Sequence, residues 1–120
     1  MERRLVAIMA GDVVGYSAQM CAAETDTLAR LTRIREVVGN RVAEKAGRIF
    51  SQAGDGYLAE FPSTVSAVRA GFDIQRDLAS LRQHDGGVLE LRIGIHLADV
   101  VVDGDDLLDH GALRVAAPAG

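Results

Sequence analysis

Apolar residues along this chain fall into runs of different period, and the periods predict the elements. From Leu5 to Met9 they are almost continuous, as in a buried strand, and the strand is expected to reach about Val14. Ser17 to Ala23 is small and polar and reads as a short helix or turn. From about Thr25 the period lengthens: Leu28, Leu31, Ile34, Val38 and Val42 recur at steps of three and four, with Arg30, Arg33, Glu36, Arg41 and Glu44 on the other face. This is an amphipathic helix, with Gly39 as a weak point and Gly47 placed to end it in a left-handed conformation.

Gly47 to Ala53 then reads as a strand and Tyr57 to Phe61 as its hairpin partner. Gly54-Asp55-Gly56 makes the tight turn between them, since glycine accepts positive φ and aspartate favours turns. Pro62 stops the second strand, and Ser63 is a candidate N-cap for another long helix. In that helix Val65, Val68, Phe72, Ile74, Leu78 and Leu81 form an apolar stripe up to about Arg82, expected to pack on the sheet. After a loop at His84-Asp85-Gly86-Gly87, Val88 to Leu97 returns as strand, and Val100 to Val102 continues it up to a break at Asp103-Gly104-Asp105-Asp106. The order predicts an α+β fold, a two-layer arrangement with helices on one face of a sheet.

With 120 residues the chain is expected to form a single domain able to bury a real core. Its 48% hydrophobic and 25% charged content are those of a globular protein rather than a disordered one. No apolar run approaches the roughly 18 residues of a membrane span, and Met1-Glu2-Arg3-Arg4-Leu5 lacks the features of a signal peptide, so a cytoplasmic location is expected. The single Cys21 cannot form an internal disulfide and reads as a packing residue or a bystander. The net charge of −4, with basic residues scattered among acids, argues against a nucleic-acid partner.

That charge also means that a phosphate-rich ligand needs help from metal, and two acids stand where they could hold it. Asp12 ends the first buried strand, and Asp55 sits at the hairpin tip. Taken singly, each is an ordinary capping or turn residue. If the hairpin pairs beside the first strand, the two carboxylates converge at one end of the sheet, as hard oxygen ligands suited to Mg²⁺ or Mn²⁺ bound with a substrate's phosphates. Gly15-Tyr16-Ser17 follows the first acid, and a glycine there lets backbone amides face an anion as a helix begins.

Three segments, Ala10-Gly11-Asp12-Val13-Val14-Gly15-Tyr16-Ser17, Gly54-Asp55-Gly56-Tyr57-Leu58-Ala59-Glu60-Phe61 and Leu91-Arg92-Ile93-Gly94-Ile95-His96, occur in this order. Together they resemble the catalytic domain of the class III nucleotidyl cyclases, the adenylate and guanylate cyclases, from Arg4 to about Gly111. The resemblance implies a ferredoxin-like α+β sandwich with an antiparallel sheet, working as a homodimer or with another cyclase domain, head to tail, with a nucleoside triphosphate at the interface. It implies that Asp12 and Asp55, with the carbonyl of Val13, hold two Mg²⁺ or Mn²⁺ ions per site. It further implies that Val14, Gly15, Tyr16 and Ser17 form a triphosphate-binding turn and that Arg92 contacts phosphate. The implied reaction converts ATP, favoured over GTP, to the 3′,5′-cyclic nucleotide and pyrophosphate by two-metal catalysis.

The chain also departs from the family pattern. Ser51 stands where many adenylate-forming members have a base-reading lysine, and Asp106 matches the partnering aspartate of that base pocket. The family's ribose-binding Asn and transition-state Arg have no counterpart in register within His110 to Gly120, a divergent tail over about 112–120 in which Arg114 lies near the expected stretch. The resemblance thus leads us to expect a domain lacking the family's last helix and strands, with an uncovered apolar face and weak or no turnover on its own. The alternative is a non-catalytic module that binds metal and nucleotide or only dimerises. A phosphotransfer enzyme of the palm type shares the two-acid logic but fits the Arg92 segment less well. His84 and His96 carry no predicted role.

Overall fold

The computed structural model describes residues 2–85, 90–103 and 106–109. In chain order the elements are β1 (Glu2–Val13), α1 (Tyr16–Ala22), α2 (Glu24–Glu44), β2 (Arg48–Ala53), β3 (Gly56–Phe61), α3 (Thr64–Asp85), β4 (Leu91–Asp103) and β5 (Asp106–Asp109). Every strand pairing is antiparallel, in the order β2-β3-β1-β4-β5. The first four strands have the ferredoxin-like arrangement, with β1 and β3 central, as expected from the sequence. No helix among the described residues is long and apolar enough to cross a membrane.

Strand alternation sorts β1 into two faces. Ala7, Met9 and Val13 join the main core with Tyr57, Ala59 and Phe61 of β3, Leu91 of β4 and the buried rows of α2 and α3. Val6 and Ile8 point the other way and cluster with Ala98 and Val100 of β4, with Phe50 and Leu58 packed against them. Both faces of β1 are therefore apolar, which is why its sequence reads as a run rather than an alternation.

The helices settle differently from their most apolar stripes. On α2 the buried row is Thr27, Leu31, Ile34, Val38 and Val42, while Leu28 is exposed. Thr27 takes the inner position because its hydroxyl donates to the Gln19 carbonyl at 3.0 Å, joining α2 to α1. On α3 the inner row is Ala67, Ala70, Ile74 and Leu78, and Val65, Val68 and Phe72 of the expected stripe stay exposed. Small residues let the helix lie close on the strands: a Cβ at Gly71 would be in ordinary contact with Met9, Ile93 and Ile95. Ser63 caps α3 as predicted, its hydroxyl accepting from the Ser66 amide at 3.0 Å.

The end of α2 corrects another expectation. The left-handed residue is Ala46, with φ 57°, not Gly47. Gly47 N–H bonds the Val42 carbonyl at 2.9 Å and Ala46 N–H the Ala43 carbonyl at 3.1 Å, the paired closure of a Schellman motif. Glycine stands one position later because a Cβ at 47 would crowd Phe61 and Val42. β4 is one strand from Leu91 to Asp103, with Val100 to Val102 continuing it as expected. Asp106 opens β5, opposite Asp103. Val88, Asp105, Gly104, His110, Arg114 and the tail over 112–120 lie outside the described residues.

Candidate metal and triphosphate site

The sheet register assembles the predicted acids. Gly11 pairs with Tyr57 across β1 and β3, so β1 reaches Val13 just as β3 turns back through Asp55. The turn itself is two residues, Gly54 and Asp55, between the paired Ala53 and Gly56, with Gly54 at φ 57°. The Val13 amide donates to Asp55 Oδ2 at 3.0 Å, tying the second carboxylate to the backbone of the residue after the first.

Across β1 and β4, Asp12 stands directly opposite Arg92. Arg92 Nε donates to Asp12 Oδ1 at 3.3 Å and Nη2 to Oδ2 at 3.1 Å, with the aspartate side chain 18% and the arginine 33% exposed. Such a two-pronged, half-buried pair is stronger than a surface ion pair. The loop that follows is also fixed: the Val14 amide donates to the Glu90 carbonyl at 2.8 Å, and Gln19 Nε2 donates to the Val14 carbonyl at 3.1 Å. Gly15 is left-handed, φ 66°, and caps α1, so Tyr16 and Ser17 lie in the helix's first turn, whose amides have no intrahelical partner.

Beneath the acids lies Tyr57. It is 7% exposed, and its hydroxyl donates to Met9 Sδ at 3.3 Å. Burial pushes its phenol well above the ordinary tyrosine value, so it stays protonated. Gly11 makes room for it: a Cβ there would overlap the ring. The motif Gly-Asp on β1 is thus a packing requirement followed by a candidate ligand.

Asp12, Val13, Asp55, Arg92 and the turn from Val14 to Ser17 are brought to one end of the sheet. Of the two predicted base-binding residues, Ser51 stands two residues short of the row of Asp12 and Arg92, and Asp106 lies far from it. Ser51 is exposed on the edge strand β2, opposite Leu58, whose other neighbour is Ala10. Asp106 pairs with Asp103, 11 residues along β4 from Arg92, which at about 3.3 Å per residue puts it at the far end of the sheet. Among the described residues no group of three or more His, Cys, Asp or Glu gathers. The donors at the site are two carboxylates and a backbone carbonyl, all hard oxygens, and Asp12 already holds a cation in the Arg92 guanidinium. This set suits Mg²⁺ or Mn²⁺ that takes its remaining ligands from phosphate and water. Sequence reading gave no signal for the Asp12 and Arg92 pairing, which needs the register of β1 on β4, or for Arg35, whose guanidinium donates to the Gly54 carbonyl.

The ferredoxin-like sheet is the fold that the resemblance to the nucleotidyl cyclases implies, and comparison with known proteins shows the same family. The chain is 38% identical over 120 residues to "Putative adenylate cyclase 3" of Rhizobium meliloti (strain 1021), matching 98% of this chain and 20% of that protein. It superposes on the adenylate/guanylate cyclase/hydrolase of Silicibacter pomeroyi with TM-score 0.79 and 35% identity, over 89% of this chain and 64% of that one. A bacterial light-regulated adenylyl cyclase shares the fold, with TM-score 0.80 and 19% identity over 98% and 67% of the two chains. No family model matches the chain. The chain belongs to the adenylate/guanylate cyclase family and spans about a fifth of its curated relative and about two thirds of the solved cyclase chains.

Proposed function

We propose that this chain supplies the metal-binding and triphosphate-binding half of a cyclase site that forms a 3′,5′-cyclic nucleotide and pyrophosphate from a nucleoside triphosphate, ATP in preference to GTP. The observation that carries the reading is the register placing Asp12, Asp55 and Arg92 at one end of β1, β3 and β4. Asp12, Asp55 and the Val13 carbonyl would hold two Mg²⁺ or Mn²⁺ ions. Bound there, the ions would lower the charge of the triphosphate and make the ribose 3′-hydroxyl a better nucleophile. In the turn from Val14 to Ser17 the Val14 amide is held by the Glu90 carbonyl, and the amides of Gly15, Tyr16 and Ser17 would be offered to phosphate oxygens, while Arg92 would add a positive charge as negative charge builds on the leaving pyrophosphate.

Asp106 lies far along the sheet from Asp12 and Arg92, and this reading assigns base recognition to a second cyclase domain placed head to tail, either another copy or a related partner. A lone protomer is expected to turn over weakly or not at all. The ion pair between Arg92 and Asp12 favours a second reading, in which the acid is satisfied without metal and the domain serves to bind or dimerise.

Titration of ATP and GTP with Mn²⁺ on the purified chain, with an assay for cyclic product and Asp12→Ala and Asp55→Ala beside it, separates the readings. Product that both variants abolish supports catalysis. Metal-dependent nucleotide binding without product supports the binding module. No binding at all overturns the site.

A further inference from the structure

We propose that Arg35 is a positioning residue for the candidate site, holding the β2 and β3 turn from outside so that Asp55 keeps its place beside Val13. The inference rests on the reading of Asp12 and Asp55 as metal ligands.

The turn needs holding. β2 is the edge strand of the sheet, and its pairing with β3 shifts register between Ile49 and Ser51, where a bulge interrupts the ladder. Ser51, Gln52, Ala53 and Gly54 are exposed, and a Cβ at Gly54 would meet nothing within 4 Å. A tip so placed has open space around it, and edge segments with few packed neighbours open readily.

Among the described residues, two side-chain hydrogen bonds tie this tip to elements other than β2 and β3. One is the Val13 amide on Asp55 Oδ2, at 3.0 Å, which fixes the carboxylate through one of its oxygens. The other is the Arg35 guanidinium on the Gly54 carbonyl, one residue before Asp55. Arg35 is exposed on α2, but its neighbours in the chain are not free to move: Ile34 and Val38 are buried in the main core. Further along, Arg41 ties α2 to Asp77 of α3. Arg35 thus grips a backbone atom of the tip from a rigid element. Among the described residues it makes no ion pair, so this carbonyl is its identified partner.

A solvated arginine on a helix face would have none of these effects, which makes the test direct. Arg35→Ala and Arg35→Lys are compared with the unaltered chain in amide hydrogen exchange without metal, in Mn²⁺ affinity by electron paramagnetic resonance, and in the midpoint of thermal unfolding. For Arg35→Ala the expected result is faster exchange confined to residues 52–57 and Mn²⁺ bound about tenfold more weakly, from loss of one charge-assisted hydrogen bond. The unfolding midpoint should stay close to that of the unaltered chain. Arg35→Lys keeps a cationic donor and should recover most of both losses. Unchanged exchange at the tip in Arg35→Ala overturns the proposal, and so does faster exchange with unchanged Mn²⁺ affinity. If the unaltered chain binds no Mn²⁺, the metal site itself is overturned, and the exchange at residues 52–57 still decides whether Arg35 holds the turn.

Discussion

Arg92 sits on Asp12 in the place a metal ion would claim. The two are opposite one another across β1 and β4, joined by hydrogen bonds of 3.1 and 3.3 Å, and the guanidinium is the cation that the carboxylate holds. A divalent ion can reach Asp12 only by displacing or sharing this partner, and a displaced Arg92 is left within reach of whatever phosphate arrives with the ion. Arg92→Ala is therefore expected to bind Mn²⁺ alone roughly three- to tenfold more tightly while binding Mn²⁺ with ATP more weakly by a similar factor. Calorimetric titration of the ion with and without nucleotide checks both signs. Weaker binding of the ion alone would show that Arg92 supports the metal site instead of competing for it.

Gly11 and Tyr57 make a second coupled pair. A Cβ at position 11 would overlap the tyrosine ring, which is buried and fixed by its bond to Met9. Gly11→Ala should lower stability by about 1–3 kcal/mol, the usual cost of overpacking a filled core. Combining it with Tyr57→Leu, which opens the ring's space, should cost less than the two single changes added together. Urea unfolding of the four chains measures the coupling, and simple additivity would mean that the ring moves aside without strain.

The elements and the acids were legible because each depends on local chemistry: the continuous apolar run of β1, the glycine turn holding Asp55, the Ser63 cap. What the sequence did not reveal depends on how pieces meet. Val65, Val68 and Phe72 read as a packing stripe because they are large and apolar at helical spacing. The helix instead turns Ala67, Ala70 and Gly71 inward, where small residues allow closer approach to Met9, Ile93 and Ile95. Leu28 yields to Thr27 because the hydroxyl finds the Gln19 carbonyl. Gly47 was read as a left-handed residue when its need is space against Phe61. The turn carrying Asp55 lies beside the end of β1, as its pairing with β3 implies, so that the Asp55 carboxylate meets the amide of Val13, next to Asp12, whereas the separation of Asp106 follows from the unbroken length of β4.

The outer stripe of α3 has a consequence of its own. Phe72 is 67% exposed, with Val65 and Val68 on the preceding turns. Leu97, two residues along the strand from Ile95, is also exposed. Apolar surface of this kind promotes self-association. Val68→Ser with Phe72→Ser is expected to reduce light scattering of concentrated protein and to change unfolding free energy by no more than about 0.5–1 kcal/mol, because little packing is lost. Ile74→Ala, from the fully buried row of the same helix, should cost about 2–5 kcal/mol. A large loss of stability in the double serine variant would mean that the stripe is covered in solution.

The last prediction concerns pH and the bridge between the two long helices. Arg41 Nε donates to Asp77 Oδ2 at 2.7 Å and Nη2 to Oδ1 at 2.9 Å, and Arg41 also pairs with Glu44 at 3.0 Å and lies 3.9 Å from Asp73. The Arg41 guanidinium beside it holds the Asp77 carboxyl below the usual carboxylate value. A carboxyl that is more acidic folded than unfolded contributes stability that is complete above its unfolded value, near pH 4, and is lost as pH falls through the lower folded value. The guanidinium itself is shifted upward and remains charged throughout the accessible range. Arg41→Gln should therefore be less stable than the unaltered chain at pH 7 and at pH 5, and the gap should narrow at pH 3 as Asp77 takes up its proton. Urea midpoints at the three pH values provide the measurement. A gap that is the same at pH 7 and pH 3 would assign the effect of Arg41 to the packing of its side chain between the helices rather than to its pairing with Asp77.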